Sequence, residues 1–230
     1  MSIILSATNL SKVYSHRNHT TLALNNVTVS FEENTFTTII GRSGSGKTTL
    51  LHLLSGLDKP TSGTVYLNHC QLSSLNEREL LALRRKHVGF VFQENTLLNE
   101  FTVYENIMLP CIIDNRTLDT AYVDDLLHTL GLWDQKNYYP HQLSGGQMQR
   151  ACIARSLSTR PTILFADEPT GQLDRKSGCE VFDLLLLSSR KYNTTIIQVS
   201  HDLKLAQMSD RILYLNDGCL SHKMEDFYAD

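Results

Sequence analysis

The chain alternates between two hydrophobic rhythms. Residues 2–34 hold short stretches in which apolar and polar side chains take turns, as in Val27-Thr28-Val29-Ser30-Phe31. That period of two predicts antiparallel strands with one buried face, the first ending near Tyr14. Thr35-Phe36-Thr37-Thr38-Ile39-Ile40 is a β-branched run that reads as a buried strand, and Thr49-Leu50-Leu51-His52-Leu53-Leu54 then takes up helical spacing. The cluster Asp58-Lys59-Pro60-Thr61-Ser62-Gly63 predicts a turn, and Thr64-Val65-Tyr66-Leu67 a further strand. Asn76-Glu77-Arg78-Glu79 offers a capping residue and early acids, so it opens a helix. Val88-Gly89-Phe90-Val91-Phe92 is a short apolar strand with Gln93 at its carboxyl end.

Strand signals vanish after residue 93, and residues 103–109 and 121–130 show helical spacing. Strands return at Thr162-Ile163-Leu164-Phe165-Ala166, Thr194-Thr195-Ile196-Ile197-Gln198-Val199 and Arg211-Ile212-Leu213-Tyr214-Leu215, with helical segments between the earlier ones. A parallel sheet with helical crossovers requires that order. The leucine-rich stretch 183–187 reads as the buried face of one such helix, and Arg84-Arg85-Lys86 as a solvated helix end. The acidic tail, 223–230, is expected to fray. The fold class expected is α/β over residues 1–230. An α/β core with an antiparallel β part takes 1–93 and 148–230, and a helical insertion takes 94–147.

Composition narrows the partners. A formal charge of −3 over 230 residues gives no support for a nucleic-acid surface held by bulk electrostatics. Five cysteines without C-x-x-C spacing fit reduced thiols better than a disulfide framework or a zinc site. The amino end lacks the basic and apolar regions of a signal peptide, and no apolar stretch approaches the length that spans a bilayer. The chain is expected to be soluble by itself.

The strongest chemistry lies at Gly41-Arg42-Ser43-Gly44-Ser45-Gly46-Lys47-Thr48, which fits the phosphate-binding pattern G-x-x-x-x-G-K-[ST] at every fixed position. A strand precedes it and a helix follows. Glycines let the backbone turn tightly and aim N–H groups at phosphate oxygens, while the helix start adds its positive dipole end. Lys47 would reach the β- and γ-phosphates and the Thr48 hydroxyl would ligate Mg²⁺. These residues, with Thr49, predict a nucleoside triphosphate site. Downstream, Ile163-Leu164-Phe165-Ala166-Asp167-Glu168 is an apolar strand ending in two acids. Asp167 would hold Mg²⁺ and Glu168 would polarise the attacking water; alone, the pair could equally be an exposed acidic turn before Pro169. Leu143-Ser144-Gly145-Gly146-Gln147 precedes an amphipathic run, with Ser144 placed to cap it. By itself it is either a second anion-binding helix end or a loop between helices.

Leu143-Ser144-Gly145-Gly146-Gln147, together with the phosphate loop and the acidic strand in this order, resembles the signature of the ABC-transporter ATPases. The similarity runs from Tyr14 to Asp217. It implies a RecA-like P-loop NTPase fold of ABC-ATPase type that hydrolyses ATP with Mg²⁺. Position by position it implies that Tyr14 stacks on adenine, that Gln93 contacts Mg²⁺ and water and senses a membrane partner, and that His201 contacts the γ-phosphate. It also implies that Asp174, in Gly171-Gln172-Leu173-Asp174, meets a second subunit. Family members dimerise head to tail, so Ser144, Gly145, Gly146 and Gln147 of one copy would cover the triphosphate held by the other.

Gly56-Leu57-Asp58-Lys59-Pro60-Thr61-Ser62-Gly63, Phe90-Val91-Phe92-Gln93 and Asp167-Glu168-Pro169-Thr170-Gly171 look like strings of the MacB/LolD group. That likeness implies a separate transmembrane permease, a place on the inner face of the cell membrane, and export or extraction of a peptide, antibiotic or lipoprotein. An FtsE-like role at a division complex is the alternative. Two departures are Gln172, where the group has Asn or Ala, and Asn99, where it has proline.

Overall fold

The alternating amino-terminal segments fold as two long strands rather than several short ones. β1 (Ile3–His16) and β2 (His19–Glu32) pair antiparallel, and β1 continues past Tyr14, which lies opposite Thr21. Register shifts between Ile3/Leu5, Ala7/Leu10, Leu10/Lys12 and Lys12/Val13 explain the difference. Each bulge inserts a residue and resets which side chains face inward, so the alternation breaks while the strand continues.

The computed structural model describes residues 2–16, 19–117 and 119–222, so the acidic tail at 223–230 lies outside the described residues. The chain divides into two compact units, Met1–Arg84 with Thr195–Asp230, and Arg85–Thr194. In the first unit β3 (Phe36–Gly41) is buried throughout and leads through the phosphate loop into α1 (Lys47–Leu54), whose Leu50, Leu51, Leu53 and Leu54 are buried. β4 (Ser62–Leu67) pairs with the other edge of β1, and β5 (Cys70–Gln71) with β4. α2 (Glu77–His87) opens on a reciprocal cap: Glu79 N donates to Asn76 Oδ1 and Asn76 N to Glu79 Oε2, each at 3.0 Å. At its far end Arg84 departs from the solvated expectation. Its Nε is buried with no hydrogen-bond partner, and burial holds its pKa below the ordinary value.

The second unit starts from β6 (Val88–Val91) and holds α3 (Val103–Ile113), α4 (Thr120–Thr129), α5 (Gly145–Leu157), β7 (Ile163–Asp167) and α6 (Arg175–Tyr192). β6 and β7 run parallel. α3 runs through Pro110 to Ile113, longer than the spacing alone indicated. On α6 the buried stripe is Gly178, Val181, Phe182, Leu185, Ser188 and Ser189, while Leu187 is 49% exposed. Successive helical residues turn by about 100°, so a run of adjacent leucines cannot all face the core.

The chain re-enters the first unit as β8 (Thr195–Ser200), α7 (Leu203–Ala206), β9 (Arg211–Asn216) and β10 (Cys219–Ser221). β3 lies between β8 and β9, parallel to both, and β10 closes antiparallel on β9. All five thiols are free. Among the described residues no helix is long and apolar enough to cross a membrane.

Candidate functional site

In the first unit the register of the parallel strands brings together two of the expected elements. Ile40 of β3 is level with Ser200 of β8, and Gly41 with Leu215 of β9. The phosphate loop and His201 therefore leave from the carboxyl ends of adjacent strands, where ligands sit in open α/β sheets. Gly46 caps α1 with φ +99° and, having no side chain, supplies no side-chain cap to the first turn. Lys47 is buried at 6% exposure, its Nζ donating to Gly41 O at 3.0 Å and Arg42 O at 3.1 Å. Ser45 Oγ is buried without a partner. A helix start without a side-chain cap, a buried ammonium and an orphaned buried hydroxyl together suit an anion with several oxygens, as a phosphate chain is. Arg42, Ser43, Gly44 and Thr48 are exposed and Thr49 is half-buried.

Tyr14 donates its hydroxyl to Asp58 Oδ2 at 2.9 Å, and 37% of the residue stays exposed. Burial raises its phenol pKa, the Thr49 hydrogen bond opposes that rise, and the bond to Asp58 adds to it. For Asp58, burial pushes the carboxyl up, but bonds from Lys12, Tyr14 and the Lys59 N–H outweigh it and hold the pKa below the usual value. His201 is exposed; it follows the buried Ser200 and precedes the half-buried Asp202, whose carboxylate caps α7 through Lys204 N at 2.8 Å and Leu205 N at 3.2 Å.

The second unit gathers the remainder. Val91 of β6 is level with Ala166 of β7, which puts Gln93, Asp167 and Glu168 at the carboxyl ends of neighbouring parallel strands. Asp167 is 5% exposed, and Gln93 is exposed. Glu168 has φ +42°, a left-handed conformation that costs a non-glycine residue about 1–2 kcal/mol. Strain of that kind concentrates at functional sites. Ser144 caps α5: Gln147 N donates to Ser144 Oγ at 3.3 Å and Ser144 N to Gln147 Oε1 at 2.8 Å. The Gly145 and Gly146 N–H groups, at the same helix start, receive no side-chain cap. Beside them is the loop of Asp174, whose carboxylate caps α6 through Lys176 N at 3.0 Å and Ser177 N at 3.1 Å.

A family model described as ABC transporter matches residues 24–171. The chain belongs to the ABC transporter family. It is an ATP-binding, ATP-hydrolysing cassette of that family. Over 220 residues it is 42% identical to the lipoprotein-releasing system ATP-binding protein LolD of Legionella pneumophila, covering 95% of this chain and 97% of the relative. It is 40% identical to the bacitracin export ATP-binding protein BceA of Halalkalibacterium halodurans, covering 94% of this chain and 86% of the relative. A solved dimeric post-hydrolysis structure of the ATP-binding cassette MJ0796, bound to ADP and Pi, superposes with TM-score 0.84 at 36% identity. The match covers 95% of this chain and 98% of that one.

Sequence reasoning about this cassette missed several supporting residues. Lys12, in a strand with no motif, and Asp58, inside the 56–63 string but given no role by it, grip Tyr14. In the second unit Asn95 and Thr96, just past Gln93, are tied to α5. Cys152 Sγ donates to Asn95 Oδ1 at 3.2 Å, and Arg155 donates to Thr96 O at 2.7 Å. Asn106, fully buried on α3, gathers the 98–102 loop. A polar residue inside an apolar helical run was the available signal for Asn106, and the 56–63 string was that for Asp58; the others had none.

Proposed function

We propose that this cassette powers a separate membrane permease and that two copies work as a head-to-tail pair. The names of its LolD and BceA relatives support export or extraction of a lipoprotein, peptide or antibiotic as the work done. The observation that carries the pairing is at the signature. A methyl group added at Gly145 or Gly146 would meet only ordinary contacts, with Leu173 Cδ2 and Ser177 Cβ respectively, each at 3.5 Å. The fold has room for side chains there. Bare backbone at an N-terminal helix turn is instead what a phosphate arriving from another copy requires.

In this reading residues 41–49 cradle the triphosphate, Tyr14 stacks on adenine, and Ser144, Gly145, Gly146 and Gln147 cover the triphosphate of the other copy. The oxygen donors Thr48 and Asp167, with Gln93, suit a hard cation. They would hold Mg²⁺, which when bound supplies positive charge to the β- and γ-phosphate oxygens. Glu168 orients the attacking water and takes its proton, Lys47 offsets charge developing on the γ-phosphate, and His201 fixes that group in line. Asp174 contacts the second copy. The helical segment 94–142 faces the permease at the inner face of the membrane, where Gln93 senses its movement.

Glu168→Gln tests this reading. The variant should bind ATP, lose nearly all phosphate release, and elute as a dimer when saturated with ATP. Wild-type turnover would remove Glu168 from the chemistry, and a strict monomer beside its permease would remove the pair. Co-purification with a permease supports transport; recovery with division proteins alone would favour the FtsE-like role.

A further inference from the structure

We propose that Lys12 and Asp58 clamp the Tyr14 ring as a one-sided platform for the purine, making Asp58 a positioning residue for nucleotide recognition. The inference rests on the reading that Tyr14 stacks on the base. A tyrosine near the end of a strand can turn about its side-chain bonds, and a ring that must be ordered at each binding event weakens binding. Here the ring is ordered in advance. Its hydroxyl donates to Asp58 Oδ2 at 2.9 Å and is also bonded to Thr49, in the first turn of α1 beside the phosphate loop.

Asp58 is itself fixed. Its Oδ1 accepts from Lys12 Nζ at 2.8 Å and from Lys59 N at 2.7 Å. Lys12 Nζ also donates to Lys59 O at 2.7 Å, so one ammonium holds both the carboxylate and the turn that carries it. The same ammonium stands 4.9 Å from the centroid of the Tyr14 ring. A cation over an aromatic face occupies that face, which leaves the other for a base. The 37% exposure of Tyr14 supplies the open side. Binding of the base is thereby coupled to residues that touch no part of the nucleotide.

The test compares Mg²⁺-ATP with Mg²⁺-tripolyphosphate, which carries the phosphates without a base, by calorimetry on the full chain. Tyr14→Phe keeps the ring and loses its tether, and Asp58→Ala removes the anchor. Each should weaken ATP by about three- to tenfold and leave tripolyphosphate unchanged. The double variant should be no worse than either single one, because both break the same link. Equal weakening of both ligands would mean that Asp58 merely supports the turn, and no weakening of either would mean that the tether is idle; both results overturn the clamp. Tyr14→Ala separates the clamp from its premise. If it leaves the ratio of the two affinities unchanged, the base reading fails. If it shifts the ratio while Tyr14→Phe and Asp58→Ala do not, the clamp alone fails.

Discussion

Asn106 holds together the loop that follows Gln93, and its replacement has a cost that can be worked from the bonds it makes. Its Oδ1 accepts from Leu98 N at 2.8 Å, and its Nδ2 lies 3.0 Å from each of Leu98 O, Phe101 O and Thr102 O. The side chain is fully buried. Leucine has similar volume and no polar atoms, so Asn106→Leu strands Leu98 N and Phe101 O, while Leu98 O keeps its bond from Phe101 N at 3.2 Å. Thr102 O keeps its helical bond from Asn106 N. Leu98 and Phe101 are 40% and 37% exposed, so water can serve part of this loss. With two groups stranded, the cost is about 1–3 kcal/mol rather than the full burial penalty. In a chain of this length that lowers the melting temperature by roughly 2–10 °C. Asn106→Asp keeps the shape but turns a carboxylate oxygen toward carbonyls, so near neutral pH it should be worse than leucine. Burial among carbonyls would raise that carboxyl's folded pKa above its unfolded value. The added penalty is therefore present at high pH and disappears as pH falls through the folded value, where the protonated acid can donate. Melts followed by circular dichroism from about pH 8 to about pH 5 should show the aspartate variant gaining on the leucine variant. A leucine variant melting within about 1 °C of the parent would refute the bond count, and an aspartate variant as stable as leucine at about pH 8 would refute the orientation.

Gly46→Ala should destabilise more than Gly44→Ala, by about 1–3 kcal/mol in thermal melts. Both have positive φ, but the added methyl at Gly46 would lie 2.4 Å from Ala23 O, whereas Gly44 has nothing within 4 Å. Gly145→Asp should leave the melting temperature and single-chain ATP binding close to the parent while stopping phosphate release; lost binding in a calorimeter would argue against action on the other copy's nucleotide. The Ser177 bonds to Asp174, with that from Lys176 N, hold its carboxyl below the usual range. Its cap therefore stabilises above the unfolded carboxyl pKa and is lost as pH falls through the lower folded value. The melting-temperature gap between the parent and Asp174→Ala should shrink on acidification, and Asp174→Asn should flatten that dependence.

What the sequence discloses depends on how far apart the cooperating residues lie. The phosphate loop is legible because its strand, turn and helix are contiguous, and the Asn76 and Ser144 caps because each closes on a residue three positions later. The signature could be recognised as a string, yet the string alone left open whether it was a helix end or a loop. The Ser144–Gln147 cap makes it a helix end. The bulged β1 was misjudged because alternation reports the facing of side chains, and a bulge changes facing without ending a strand. Arg84 was misjudged for a related reason: charge predicts solvation, but a long stem can be drawn into packing with its head only partly hydrated. The tether between Tyr14 and Asp58 joins residues 44 positions apart, and nothing in either local pattern anticipates it. Motifs thus reveal the atoms that would meet the phosphates, since those donors come from one short segment. The residues that hold those atoms still come from wherever the fold returns the chain, and mutational tests of recognition belong there as much as in the motifs.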